Sequence, residues 1–287
     1  MIGIIDQLIQ AVLLGGLYAI FALGLAISVG VLRFINVAHG DIIVMMSYLM
    51  LSLTQALDLP APVAIVLLIP IGAGFGWLLQ TTILQRASGH NEMQVILITF
   101  GLSIVIQNVL LSTYGADTRK VLAGGIELQS IPLFGGVSVG VLPLIILAVA
   151  VVMIVLLELL LYRTDIGVKI RAVADEPGSA RLVGLRVSGI LAIAMALVGI
   201  TEAVSGGLMS IWTNFDPSSG SSRLLIAFEV VVLAGLGSFW GVLAGGVVIA
   251  LAQTFGGMVD SAYQILGGHI VFLILFLARP QGFFPKA

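Results

Sequence analysis

The chain has no cysteine, only three histidines, and charged residues at just 9% of its 287 positions. Without cysteine there is no disulfide framework, thiol nucleophile or thiolate metal site, so stability has to come from packing. His39, His90 and His269 are scattered and offer no metal-ligand spacing, so no metal is expected. A formal net charge of −2 provides no strongly basic surface for nucleic acid or an anionic membrane face. No Gly-x-x-x-x-Gly-Lys-Ser/Thr phosphate loop occurs, which argues against a nucleotide site of its own. Gly136-Val-Ser-Val-Gly140 matches a nucleophile-elbow pattern, but without its strand-to-helix context or a legible Ser/His/Asp set it argues for no hydrolase.

What the chain has in abundance is apolar surface: 60% of its residues are hydrophobic and the mean hydropathy is +1.20. Soluble domains are about half apolar and a quarter charged, so this chain needs lipid as its solvent. Residues 1–10 lack Lys and Arg and open into an apolar run longer than a signal-peptide core, so the N-terminus reads as a first span. Uncharged stretches run from Gln7 to Leu32, Ile42 to Leu57, Leu59 to Gln85, Met93 to Ala116, Leu128 to Leu157, Val187 to Thr201, Val230 to Val259 and Ser261 to Ala278. An ionised side chain is costly at the bilayer centre and a span takes about 20 residues. The runs therefore predict an all-α integral membrane protein with about eight transmembrane helices, some of them glycine-broken or re-entrant. Pro60, Pro62, Pro132 and Pro143 mark span ends. No polar linker divides the chain, so residues 1–287 read as a single transmembrane domain. No repeat of 20 to 50 residues is evident, and a weak twofold echo stays open.

Charge concentrates in one place. Nine of the 12 basic and 14 acidic residues fall within 158–186, and five of the nine are basic: Arg163, Lys169, Arg171, Arg181 and Arg186. The positive-inside rule makes this loop cytoplasmic, and Arg279 and Lys286 put the C-terminus on the same side. An even number of crossings then separates Arg186 from Arg279. The glycine-broken stretch from Leu224 to Val259 must return to its starting side, as a re-entrant hairpin or two short crossings.

Three groups of residues stand out against this background. Asn36, His39, Gly40 and Asp41 form a polar cluster between two apolar runs, as in the discontinuous helices that line transport pathways. An interfacial turn whose side chains meet water is the plainer reading. Glu202 and Glu229 lie deepest within apolar runs, as pathway or proton-coupling acids, or as structural ones. Gly237, Gly241 and Gly245 repeat at the four-residue spacing that brings helix backbones close together. Within the charged loop, Asp175 to Gly184 predicts a short helix with Asp175 as its cap, Pro177 in its first turn and Gly184 as its stop. So short a helix is marginal alone in water, which points to a protein partner rather than a solvated loop.

Four motifs, in order along the chain, carry a resemblance: Asn36-Val-Ala-His-Gly-Asp41, Arg171-Ala-Val-Ala-Asp-Glu-Pro-Gly-Ser-Ala-Arg-Leu-Val-Gly184, Gly235-Leu-Gly-Ser-Phe-Trp-Gly241 and Arg279-Pro-Gln-Gly282. With them the sequence resembles the permease subunits of the branched-chain amino-acid ABC importer family, which includes relatives for urea, short amides and other small solutes. Val37 stands where that family usually carries Phe, and Ala234 where a glycine is common. The resemblance implies a multi-pass protein of the bacterial inner membrane rather than an enzyme. It implies a heterodimer with a second permease, two cytoplasmic ATPase subunits that bind ATP and Mg, and an extracytoplasmic solute-binding protein. No cofactor is expected in this chain. Asn36, His39, Gly40, Asp41, Glu202 and Glu229 would line the pathway. Arg163, Gly167, Arg171, Asp175, Glu176, Ala180, Arg181, Leu182 and Gly184 would couple it to an ATPase, with Ala180 and Leu182 as apolar contacts. A stand-alone secondary transporter or channel remains the alternative reading of the same broken helices and buried acids.

Overall fold

In hydrocarbon every backbone amide must find its partner inside its own segment, and this chain meets that demand with helices. The structure is a computed structural model describing residues 2–87, 92–132, 136–235 and 237–284; His90, Leu236 and Lys286 lie outside the described residues. Its helices are α1 (Ile2–Ile27, extended by a π-helical turn at Ser28–Leu32), α2 (His39–Ala56), α3 (Ala61–Leu79, extended by a π-helical turn at Gln80–Leu84) and α4 (Gln85–Ala87). They continue with α5 (Glu92–Tyr114), α6 (Val141–Arg163), α7 (Asp165–Asp175), α8 (Pro177–Leu182), α9 (Val187–Trp212), α10 (Gly220–Ala234), α11 (Phe239–Val259) and α12 (Tyr263–Ala278). Six segments are long and apolar enough to cross a membrane: Gly3–Leu32, Ala61–Leu84, Met93–Tyr114, Val141–Arg163, Val187–Trp212 and Phe239–Val259. With α2 at 18 residues and α12 at 16, the bundle holds about eight. At 15 residues α10 is about 22 Å long, short of the roughly 30 Å hydrocarbon core, so it makes its further passage together with the non-helical residues 213–219 that precede it.

Two uncharged runs do not become single helices. The run from Leu128 to Leu157 begins with a two-stranded hairpin, β1 (Ser130–Pro132) against β2 (Ser138–Gly140), with Ile131 opposite Val139. Lack of charge does not make a helix where Pro and Gly punctuate the chain, and α6 starts only after Gly140. Ser138, the elbow-like serine, sits in β2, and its carbonyl accepts a bond from Gln10 Nε2 at 3.1 Å. The run from Val230 to Val259 divides between α10 and α11 at Gly235 and Gly237, whose φ values of 83° and 88° suit glycine. The returning pair is thus two helices rather than one bent span.

The bundle interlocks as two similar halves. α1 ends at Arg33, which pairs with Asp175 of α7 at 3.2 Å, whereas α9 begins shortly after α8, so α1 and α9 run in opposite senses. Each is followed by an irregular segment and then a helix whose first residue is buried, His39 of α2 and Gly220 of α10. Each also receives the third helix of the other half. A Cβ on Gly72 or Gly76 of α3 would strike backbone at Gly199 and Met195 of α9, and one on Gly246 of α11 would strike Gly15 and Ala19 of α1. Such crossed, inverted pairing is a recurrent way to build transport sites at mid-membrane, and it gives substance to the twofold echo left open by the sequence.

Candidate functional site

The site grows out of the break between α1 and α2. Arg33 takes a left-handed conformation, φ 56°, which turns the chain back on itself after the π-helical turn. Residues 34–38 then re-enter the bundle without helical bonds of their own, so side chains supply the missing partners. Asn36 Oδ1 accepts from Ala38 N at 3.1 Å, and Thr99 Oγ1 of α5 accepts from Val37 N at 3.2 Å. α2 therefore begins inside the protein, with His39, Gly40 and Asp41 all buried.

Here the polar residues converge. His39 Nε2 lies 2.8 Å from the Phe21 carbonyl, and Nδ1 lies 2.8 Å from Glu202 Oε1 of α9. A carbonyl only accepts, which assigns a proton to Nε2, so Nδ1 and the fully buried Glu202 share one further proton between them. Asp41 Oδ2 accepts from Ser103 Oγ of α5 at 2.5 Å. Ser47 donates to the Gly206 carbonyl at 2.8 Å and Ser205 to the Ile20 carbonyl at 3.0 Å. Glycine permits this closeness: a Cβ on Gly40 would collide with the Gly220 carbonyl, and one on Gly220 with the Asp41 carboxylate. Among the described residues Asn36 Nδ2, Ser28 Oγ and Glu202 Oε2 are buried without partners, polar capacity beyond what the fold uses.

The structure thus brings Glu202 to the cluster of Asn36, His39, Gly40 and Asp41, a pairing that the sequence alone does not show. Glu229 belongs to a different cluster. It lies on α10, almost fully buried, and binds His269 of α12 at 2.5 Å, so His269 is not isolated. Near Glu229, Tyr18 donates to Gln253 Oε1 at 2.5 Å. The sequence reading missed Thr99, Ser103 and Gln107, although they repeat every four residues inside the apolar run that forms α5. That spacing puts them on one helix face.

Two clefts open on this α5 face. The larger, of 750 Å³, is lined by Arg33, Phe34, Ile96, Tyr162, Arg171 and Asp175, among others, at the end bearing α7. The smaller, of 250 Å³, is lined by Gln107, Asn108, Leu111, Asp216 and Ser218 near the other end of α5. Arg171 stacks its guanidinium 4.7 Å from the Tyr162 ring centre.

The charged loop departs from its expected form. Asp175 ends α7 and faces Arg33, while Glu176 precedes α8 with φ −149° and ψ 85°. A residue before proline avoids the helical region, so the short helix starts at Pro177 with Glu176 in the cap position, and Asp175, which closes α7, is not its cap. Arg163 closes α6, and Gly167 packs α7 against the Leu160 and Leu161 carbonyls. Ala180 is only 4% exposed and packs with Val173 and Val187, so it is turned inward and offers no apolar contact to a partner. Arg181, Leu182 and Gly184 are exposed, the last with φ 86°. Of the three glycines, Gly241 and Gly245 lie where α11 meets Ala234 and Val230 of α10, whereas Gly237 serves the turn before α11 and not a helix face.

Comparison with known proteins yields one family. Residues 7–278 match the model of the branched-chain amino acid transport system / permease component family. The high-affinity branched-chain amino acid transport system permease protein BraD of Pseudomonas aeruginosa is 24% identical over 97% of this chain and 94% of its own. The permease protein LivH of the corresponding system in Escherichia coli K12 is 23% identical over the same shares. A probable branched-chain amino acid transport permease protein of Methanocaldococcus jannaschii is 23% identical over 93% of this chain and 87% of its own. No solved structure matches.

Proposed function

Because the chain belongs to the family of permease components of branched-chain amino acid transport systems, we propose that it is the membrane-spanning subunit of an ATP-binding-cassette importer in a bacterial inner membrane. It is a multi-pass transport protein and not an enzyme. On this reading the solute is a branched-chain amino acid or a related amino acid, amide or urea. The partners are a second homologous permease, two cytoplasmic ATPase subunits that carry ATP and Mg, and an extracytoplasmic binding protein. The chain itself holds no cofactor.

One observation carries the reading beyond family membership: a polar centre built at two opposed helix breaks, with more buried polar capacity than the fold consumes. Polar groups at membrane depth are tolerated where they serve a pathway. Residues 158–186 form the cytoplasmic coupling region within the single transmembrane domain. Leu182 and Val183, 89% and 76% exposed, are its apolar contact for an ATPase, and Asp175 joins it to the helix break through Arg33. ATP binding tips the permease pair by favouring one arrangement of α7 and α8 over another, since only differential affinity shifts such an equilibrium.

Purification from the native membrane followed by reconstitution tests this. Co-purifying ATPase subunits and leucine uptake requiring both ATP and a binding protein are expected. Uptake by the chain alone, driven by an ion or proton gradient, would replace this reading with a stand-alone secondary transporter.

A further inference from the structure

The two clefts are spaced along one helix face. Ile96, Thr99, Ser103 and Gln107 follow at intervals of three, four and four residues, which keeps them within one side of α5. Ile96 lines the wide cleft and Gln107 the narrow one. From Ile96 to Gln107 the helix rises about 16 Å, roughly half the hydrocarbon core. Between them two contacts close α5 onto the start of α2: Thr99 with Val37 N, and Ser103 with Asp41. A solute moving along this face has to part Ser103 from Asp41.

Asp41 is 3% exposed, and among the described residues its side-chain partner is a neutral hydroxyl, with no cation beside it. A buried carboxylate gains most from a charged donor, because such bonds are shorter and about twice as strong as neutral ones. An ammonium group is the occupant that best repays breaking the Ser103 bond. At the wide cleft, Arg33 and Arg171 offer guanidinium groups suited to a carboxylate.

We propose that the Thr99–Ser103–Gln107 face of α5 is the chain's wall of the translocation route, and that Asp41 receives the ammonium group of a zwitterionic solute in exchange for the Ser103 hydroxyl. The Asp41–Ser103 bond is then the closed position of a gate between the two clefts. The proposal rests on the permease reading for its solute, but the wall and the gate are testable without transport.

The chain has no native cysteine, so single cysteines can be introduced as unique labels. In right-side-out and inside-out membrane vesicles, Ile96→Cys and Gln107→Cys should react with a membrane-impermeant thiol reagent from opposite sides. Labelling of both from one side, or of neither, overturns the route. At Ser103→Cys, aminoethyl methanethiosulfonate should react about tenfold or more faster than its sulfonatoethyl counterpart, as one charge-assisted contact predicts. Adding Asp41→Asn should bring that ratio close to one. An equal ratio with Asp41 intact overturns the ammonium assignment, as does a preference that survives Asp41→Asn. Should all these labels behave as expected while ATP-dependent uptake fails, the importer reading falls and the route stands.

Discussion

At the scale of single residues, His39 and Glu202 form a pair shut away from solvent. Both are buried, and removing one partner strands the other without compensation, at a cost of about 3–5 kcal/mol. His39→Leu should therefore lower the melting temperature in detergent markedly, and His39→Leu combined with Glu202→Leu should recover part of the loss. Strictly additive losses in that double-mutant cycle would mean the two side chains do not act as a unit. A second residue-scale effect sits in the loop between α9 and α10. Burial pushes the Asp216 carboxyl upward, but hydrogen bonds from Ser218 and Ser219, aided by Arg223, outweigh it and hold the group below its ordinary 3.8. A depressed carboxylate contributes stability that is complete above its unfolded value and is lost as pH falls through the folded one. The melting temperature of Asp216→Asn should thus lie below that of the parent at pH 6, with the gap closing as pH drops below 3.8. A gap that stays constant into acid would show that the charge is not the source.

At the scale of elements, α7 and α8 show what a sequence tells and what it withholds. Pro177 and Gly184 mark the short helix correctly from the sequence, but the periodicity of six residues is too brief to say which side faces in. Ala180, chosen as the outward contact, fills a small space against Val173 and Val187, and the outward face belongs to Leu182 and Val183. Leu182→Asp should consequently leave thermal stability unchanged while reducing co-purification of an ATPase partner and leucine-stimulated ATP hydrolysis. Ala180→Glu should instead lower stability by a few kcal/mol, because it buries a charge with no partner. Full ATPase retention in Leu182→Asp would remove α8 from the docking surface. The break before α2 was legible for the same kind of reason: Asn36, His39 and Asp41 are costly in an apolar run unless the backbone there needs them. The other half of the site was not. Ser103 and Thr99 are small hydroxyls that a helix can satisfy against its own carbonyls, so they disturb no hydropathy pattern. The hairpin at β1 and β2 was hidden because it, too, is uncharged.

At the scale of the whole molecule, the two halves run in opposite senses, and this fixes which ends of the bundle share a side. α9 leaves the end that bears α8, α10 returns toward it, α11 leaves again and α12 comes back, which is the even number of crossings that basic residues at 186 and 279 demand. The turn at Gly237 accordingly meets Tyr162 near the end of α6, and Phe283 donates to the Leu233 carbonyl close by. At the opposite end, Arg119 and Phe215 exchange backbone bonds, tying the segment after α5 to the segment after α9. Exposed serines lie at both ends, Ser179 on α8 and Ser261 between α11 and α12. In the cysteine-free chain, Ser261→Cys should be labelled by an impermeant thiol reagent in right-side-out vesicles, and Ser179→Cys only in inside-out ones. Ser219→Cys, next to the Ser218 that lines the narrow cleft, should follow Ser261→Cys in side but react more slowly, because it is partly buried and its hydroxyl is held by Asp216 at 2.6 Å in the parent chain. If Ser261→Cys and Ser179→Cys were labelled from the same side, the returning pair could not be α10 and α11. The opposed helix breaks would then no longer face each other across the membrane, and a single route past Asp41 would have no geometry to run through.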